Sequence, residues 1–199
     1  MTYRGKRALD IVLGGTALVL AAPLLAVSAV LIRLESHGHP IYRQRRVGLD
    51  GKPFELYKLR TMVTDAERQG AGLIVDAGDA RITRTGAWLR RYSIDELPNL
   101  INVLAGQMSL VGPRPTVQVQ VDQYSERQRG RLAVRPGITG WAQVNGRASL
   151  PWSDRIELDI WYVEHASLRL DLRIMAKTAR MVLTGHGLYK GETGGWSAT

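Results

Sequence analysis

The chain of 199 residues carries 27 Lys and Arg against 18 Asp and Glu, a formal net charge of +9 at pH 7, and no cysteine. That length suffices for one domain with a sizeable core. The missing cysteines exclude disulfides and thiolate chemistry and fit the cytoplasmic side of a membrane. The charge calls for an anionic partner: nucleic acid, an acidic membrane surface or a phosphorylated substrate.

From Ile11 to Ile32 no residue is charged. As a straight helix this stretch would extend about 33 Å, close to the hydrocarbon thickness of a bilayer. It is long for the apolar part of a secretory signal, and too long for a buried core helix in so small a chain. A simple span would leave basic residues on both sides of the membrane, Arg4, Lys6 and Arg7 before it and Arg33, Arg43, Arg45 and Arg46 after it. Positive residues favour the cytoplasm. Pro23, at the middle, deletes a helix hydrogen bond and bends the chain. A re-entrant helix that bends at Pro23 and returns to the same face satisfies both clusters and is preferred here to a span.

His37 and His39 follow, beside basic residues. With four scattered His and no His-Glu-x-x-His spacing in the chain, they read as solvated loop positions and not as zinc ligands. Pro40 to Arg46 and Pro53 to Leu59 are short β-favouring runs separated by Leu49-Asp50-Gly51-Lys52, a hairpin signal. Alternation puts Lys58 and Arg60 on one face of the second strand, suited either to a diphosphate or to an exposed basic surface. Thr64 to Thr85 is polar and reads as a surface loop with one helical turn near Asp65 to Gln69.

Ser93-Ile94-Asp95-Glu96-Leu97-Pro98 has Ser three residues before Glu, the capping-box pattern. Apolar residues at Leu97, Leu100, Ile101 and Leu104 continue it at helical spacing, and Gly106 supplies a stop. Asp95 and Glu96 thus fall in a first turn, where the helix dipole favours anions. Pointing about 100° apart, one carboxylate can face a substrate and the other a metal ion. The structural alternative is that Glu96 only closes the capping box. Pro98 removes an early backbone donor, so the helix start is expected to be irregular.

In Leu110-Val111-Gly112-Pro113-Arg114-Pro115, two prolines stiffen the backbone around Arg114. Its planar fork suits a phosphate or a nucleobase edge. Val117 to Arg131 reads as one polar helix. Arg135 to Arg147 contains tight-turn glycines, and Gln143, Asn145 and Arg147 alternate, so that together they would suit a nucleoside or sugar. Trp152 to His165 carries a helical apolar stripe at Trp152, Ile156, Ile160 and Val163. Leu172 to Leu183 is a basic amphipathic helix, fit either for an anionic membrane or for packing on the core. Gly185 to Thr199 has five glycines and no apolar period, the pattern of a loose tail.

Taken together, the proline-broken N-terminus, Tyr57 to Met62, Ser93 to Pro98, Leu110 to Pro115, Arg135 to Arg147 and Glu157 to Val163 resemble the bacterial sugar transferases, the monotopic phosphoglycosyl transferases. The resemblance runs from about Arg4 to about Leu183. It implies transfer of a sugar 1-phosphate from a UDP-sugar to polyprenol (undecaprenyl) phosphate, with release of UMP. By the same resemblance Asp95 is the nucleophile that forms an aspartyl-phosphosugar intermediate, and Glu96 holds Mg²⁺. Arg114, with Arg147 as a second candidate, contacts phosphates or uridine, and Lys58 and Arg60 line the site with Gln143 and Asn145. Asp159 matches an acidic family position and either meets substrate or pairs with Arg155 one turn earlier. Ala22 stands where the family usually has a serine before the membrane proline.

The expected architecture is α+β and mostly helical. Residues 1–36 form the re-entrant membrane helix and its basic flank. Residues 37–185 form a compact cytoplasmic catalytic domain with a small β-hairpin and amphipathic interfacial helices, and 186–199 form the tail. The expected location is the cytoplasmic face of a bacterial inner membrane, with anionic headgroups and a second copy of the chain as candidate partners. A rival enzyme class is a membrane-attached, Mg²⁺-dependent nucleotide-sugar hydrolase. A nucleic-acid binder is disfavoured by 7% aromatic content and the absence of a basic recognition motif.

Overall fold

The computed structural model describes residues 2–66, 79–146 and 150–184. Helix α1, Lys6–Glu35, runs for 30 residues without a break through Pro23. It is long and apolar enough to cross a membrane. Both of its ends are fastened to the rest of the protein. At the start, Lys6 Nζ donates to Asp171 (2.5 Å), Arg7 donates to the carbonyls of Val103 and Leu104, and Asp10 accepts from Ser109 Oγ and Leu110 N. At the end, Ile32 packs with Leu59, Leu89 and Ile94, and Glu35 accepts from the backbone of Arg84 and Thr85. The side chains of Ile11, Val12, Val19, Leu20, Val27, Val30 and Leu34 are exposed.

The expected hairpin is present. β1 (Ile41–Val47) pairs antiparallel with β2 (Pro53–Leu59) in the register Ile41↔Leu59 to Val47↔Pro53. Asp50 and Gly51 take positive φ of 55° and 75° at the turn, a conformation Gly and Asp tolerate. Phe54 and Leu56 point from β2 into a core with Val103 and Met108.

Helix α2 (Arg84–Arg91) is capped by Thr83, whose side chain accepts from Gly86 N. Ser93 does not start a helix as the capping-box pattern suggests: it sits in the left-handed region (φ 54°), its side chain caps nothing, and a single 3₁₀ turn follows over Ile94–Glu96. Helix α3, Asn99–Leu104, begins only after Pro98. The proline explains the break, because its missing N–H is harmless at a helix entrance and disruptive inside a helix. Gly106, at φ 79°, stops α3 as expected.

The polar helix expected over Val117 to Arg131 is instead three short pieces: α4 (Gln118–Val121), α5 (Glu126–Arg129) and a 3₁₀ turn over Gly130–Ala133. Ser125 breaks it by forming a capping box with Gln128. Strands β3 (Ser109–Val111) and β4 (Gly137–Thr139) form a parallel pair with no signature in the sequence. Gly112 and Gly137 allow it, since a Cβ on either would clash with backbone of the other segment. Helix α6 is Trp141–Val144, α7 Trp152–His165 and α8 Leu168–Thr184.

Ile156 and Ile160 of α7 join Val47, Val121 and Tyr124 in the core, while α8 buries Asp171 and Ile174. Leu168, Leu172, Ala176, Ala179 and Leu183 of α8 are exposed, so its apolar stripe is not spent on the core. The molecule is thus mostly helical α+β, with one long apolar N-terminal helix and two small sheets. His37 and His39 are exposed. The loop turn expected near Asp65 to Gln69 falls mainly, and the tail entirely, outside the described residues.

Candidate active site

Asp95 and Glu96 lie in the 3₁₀ turn between α2 and α3, with Ile94 anchoring that turn in the core. Strand β2 is fixed against α3 by Asn102, whose Oδ1 accepts from Tyr57 N and whose Nδ2 donates to the Glu55 carbonyl. The next residue, Lys58, therefore reaches across, and its Nζ lies 2.7 Å from Glu96 Oε1.

Arg114 arrives from the other side. Gly112 N donates to Thr139 O and Gly137 N donates to Pro113 O, so the β3–β4 pair grips the segment before it, and Thr116 O accepts from Val47 N just after it. Its Nη2 donates to the same Glu96 Oε1 at 2.8 Å. The stiff presentation expected from the two prolines is realised by these flanking bonds.

Two cations thus converge on one oxygen of Glu96. Burial pushes that carboxyl up, but Arg114 and Lys58 overcome it and hold Glu96 well below the usual carboxylate range. Asp95 accepts no hydrogen bond from the described residues. Burial, with the Glu96 charge beside it, raises the Asp95 carboxyl to about 6, although Lys58, Arg90 and Arg114 pull the other way. At neutral pH Asp95 is mainly an ionised, uncommitted carboxylate whose proton affinity exceeds that of an ordinary aspartate, which suits a nucleophile.

Asp159 does not pair with Arg155. It is 1% exposed, and the Arg131 guanidinium binds both its Oδ2 and the Arg114 carbonyl. Tyr124 OH receives the remaining end of Arg131. Burial raises the Asp159 carboxyl to about 6 against the pull of Arg131. The residue braces the backbone of Arg114 from behind. Neither Arg131 nor Tyr124 stands out in the sequence, because their role arises only when the Gly130–Ala133 turn, α7 and the Arg114 loop meet.

The structure does not bring Arg60 to the acidic pair. β2 ends at Leu59, and the Arg60 guanidinium turns to the carbonyls of Ser36 and His37 and to Ser36 Oγ, closing the end of α1. Nor do Gln143 and Asn145 project together, since α6 is a helical turn and not a strand. Gln143 is buried, and Asn145 bonds Trp141 O and Lys177 Nζ. Arg147 lies outside the described residues.

Among the described residues no three His, Cys, Asp or Glu side chains cluster to cage a metal. Magnesium commonly takes one or two carboxylates and completes its shell with water and substrate phosphates. Glu96 Oε2 and both oxygens of Asp95 are uncommitted by any described residue, so the donor set fits that mode.

Residues 1–185 match the family model described as bacterial sugar transferase. The chain belongs to that family. It is 43% identical over 183 residues to an uncharacterized sugar transferase, EpsL, of Bacillus subtilis, covering 92% of this chain and 89% of the relative. It is 45% identical to a UDP-glucose:undecaprenyl-phosphate glucose-1-phosphate transferase of Caulobacter vibrioides, covering 92% of this chain and 72% of that protein. It is also 45% identical to a UDP-N-acetylgalactosamine-undecaprenyl-phosphate N-acetylgalactosaminephosphotransferase of Aeromonas hydrophila, where 92% of this chain matches 44% of the relative. With such relatives, this sugar transferase is an enzyme of the phosphoglycosyl transferase class.

Proposed function

We propose that this sugar transferase moves a sugar 1-phosphate from a UDP-sugar to undecaprenyl or a similar polyprenyl phosphate, by two displacements on Asp95. The observation that carries this is the division of labour in the acidic pair: Glu96 is clamped by Lys58 and Arg114, while Asp95 beside it accepts no hydrogen bond from the described residues.

In the first step an Asp95 oxygen attacks the phosphorus that bears the sugar. An O–P bond to Asp95 forms, the bond to the bridging oxygen breaks, and UMP leaves with the electron pair. In the second step an oxygen of the lipid phosphate attacks the same phosphorus and releases the Asp95 carboxylate. Splitting one displacement into two lets each acceptor approach separately. Arg114, its side chain 52% exposed, keeps donors free for the diphosphate, and Lys58 adds positive charge beside it. Glu96 would hold Mg²⁺, which would neutralise the diphosphate that an anionic nucleophile must approach.

The fastening of both ends of α1 to one domain favours a helix that enters and leaves on a single membrane face. The outward apolar stripe of α8 favours a second contact at headgroup level, where the basic residues meet anionic lipid. The inner membrane, cytoplasmic side, is the face where a nucleotide sugar and a polyprenyl phosphate meet. The product would enter assembly of a bacterial glycoconjugate.

Mass spectrometry of the purified protein with a panel of UDP-sugars and Mg²⁺, without lipid, tests the covalent route. A phosphosugar adduct on the peptide containing Asp95, absent in Asp95→Asn, is expected and names the sugar. UMP release that needs lipid and never shows an adduct would replace it with direct transfer.

A further inference from the structure

Arg155 is an arginine beside the site to which the two-step mechanism gives no work, and its surroundings are costly. It stands one turn before Asp159 on α7, on the same face. Arg131 holds Asp159 Oδ2 and the Arg114 carbonyl, and the other carboxylate oxygen, Oδ1, is buried without a hydrogen bond from the described residues. Arg155 Nε and Nη2 are buried and donate to no described residue. Burial, and then the like charges of Arg114 and Arg131, lower the proton affinity of Arg155, with Asp159 pulling the other way.

Arg131 and Arg155 thus stand by one buried carboxylate of which only Arg131 bonds an oxygen, while the Arg114 guanidinium is turned to Glu96. Buried donors without acceptors and clustered like charges cost stability. A fold would not keep them for its own sake, and such local conflicts mark functional positions. The idle pair is also specific. Nε–H and Nη2–H form the side-on edge of the guanidinium, which takes two oxygens of one phosphate at once.

We propose that Arg155 is a phosphate-binding residue of this sugar transferase, its side-on edge receiving two oxygens of one substrate phosphate next to Arg114. This rests on the function proposed above. The phosphate could come from the nucleotide or from the lipid, and the experiment separates the two.

Binding of UMP and of a short-chain polyprenyl phosphate is measured calorimetrically on Asp95→Asn protein, which cannot turn over, with and without Arg155→Met or Arg155→Lys. Losing a paired, charged donor weakens the affected ligand by about tenfold or more, and Lys, a single point donor, restores only part. Weakening confined to UMP assigns the nucleotide phosphate; weakening confined to the polyprenyl phosphate assigns the lipid phosphate. Thermal unfolding of Arg155→Met is the control: with no ligand present it melts at or above the parent temperature, because an unmet buried charge has been removed. Unchanged affinity for both ligands, or a marked loss of melting temperature in Arg155→Met, overturns the assignment. If the Asp95→Asn parent binds neither ligand, the proposed function itself fails.

Discussion

The buried ion pair that docks the start of α1 offers a sharp test of the architecture. Lys6 and Asp171 have side-chain exposures of 7% and 1% and lie 2.5 Å apart. Asp171 also accepts from Tyr3 OH (2.8 Å) and Tyr162 OH (2.7 Å). In Asp171→Leu the Lys6 ammonium would remain buried with its counter-charge gone, which costs about 3–5 kcal/mol. Tyr162 OH keeps the Val111 carbonyl and Tyr3 is partly exposed, so neither hydroxyl adds much. For a chain of this size that loss corresponds to a melting temperature lower by roughly 6–20 °C. Lys6→Met added to Asp171→Leu removes the stranded charge, and replacing a buried pair by apolar groups is often neutral. The double variant should therefore recover most of the loss, with a coupling energy of about 3 kcal/mol in the four-way cycle. The assay is thermal unfolding in a fixed detergent, followed by circular dichroism. A single variant that melts within about 3 °C of the parent, or a double variant no better than Asp171→Leu, would show that Lys6 finds water and that this pair does not dock the helix.

Adduct formation should rise with pH through about 6, because attack needs ionised Asp95 and burial retains its proton; in single-turnover quench experiments Lys58→Met, which removes an opposing cation, moves that midpoint upward, and an unmoved midpoint would refute the electrostatic assignment. The same proton sets a stability trend: the folded protein holds it after the unfolded chain has lost it, so the contribution of Asp95 declines as pH climbs from about 4 through 6. Asp95→Asn should accordingly melt above the parent at pH 8 and show no such advantage at pH 4. Gly112→Ala should destabilise by about 3 kcal/mol or abolish folding, since its Cβ would meet the backbone of Arg135 and Gly137, which cannot rotate aside; soluble expression with parental melting would contradict the close approach of β3 and β4. Tags at the two termini should label from the same side of sealed vesicles, and labelling from opposite sides would establish a span in place of the re-entrant helix.

Local rules made much of this protein legible. The uncharged run from Ile11 to Ile32 could only be a long apolar helix, Asp50-Gly51 could close a hairpin, and Gly106 could stop a helix, because each of these depends on neighbours in sequence. The acidic pair was visible for the same reason, as were the prolines around Arg114. The sequence rules went astray where two local preferences compete. Ser93 and Glu96 have the spacing of a capping box, yet Pro98 forbids the helix they would open, and the turn that results presents the carboxylates. Gln143, Asn145 and Arg147 alternate as in a strand, yet the chain coils at Trp141–Val144 and separates Gln143 from Asn145. Arg60 shares a strand face with Lys58 on paper, but the strand ends between them. Only the tertiary structure decided which charges meet. Lys58 reaches Glu96 across 38 positions of sequence, Arg131 reaches Asp159 across 28, and Lys6 reaches Asp171 across 165. No periodicity encodes such pairings. They follow from which helices and strands the core packs together, which brings distant charged side chains into reach of one another.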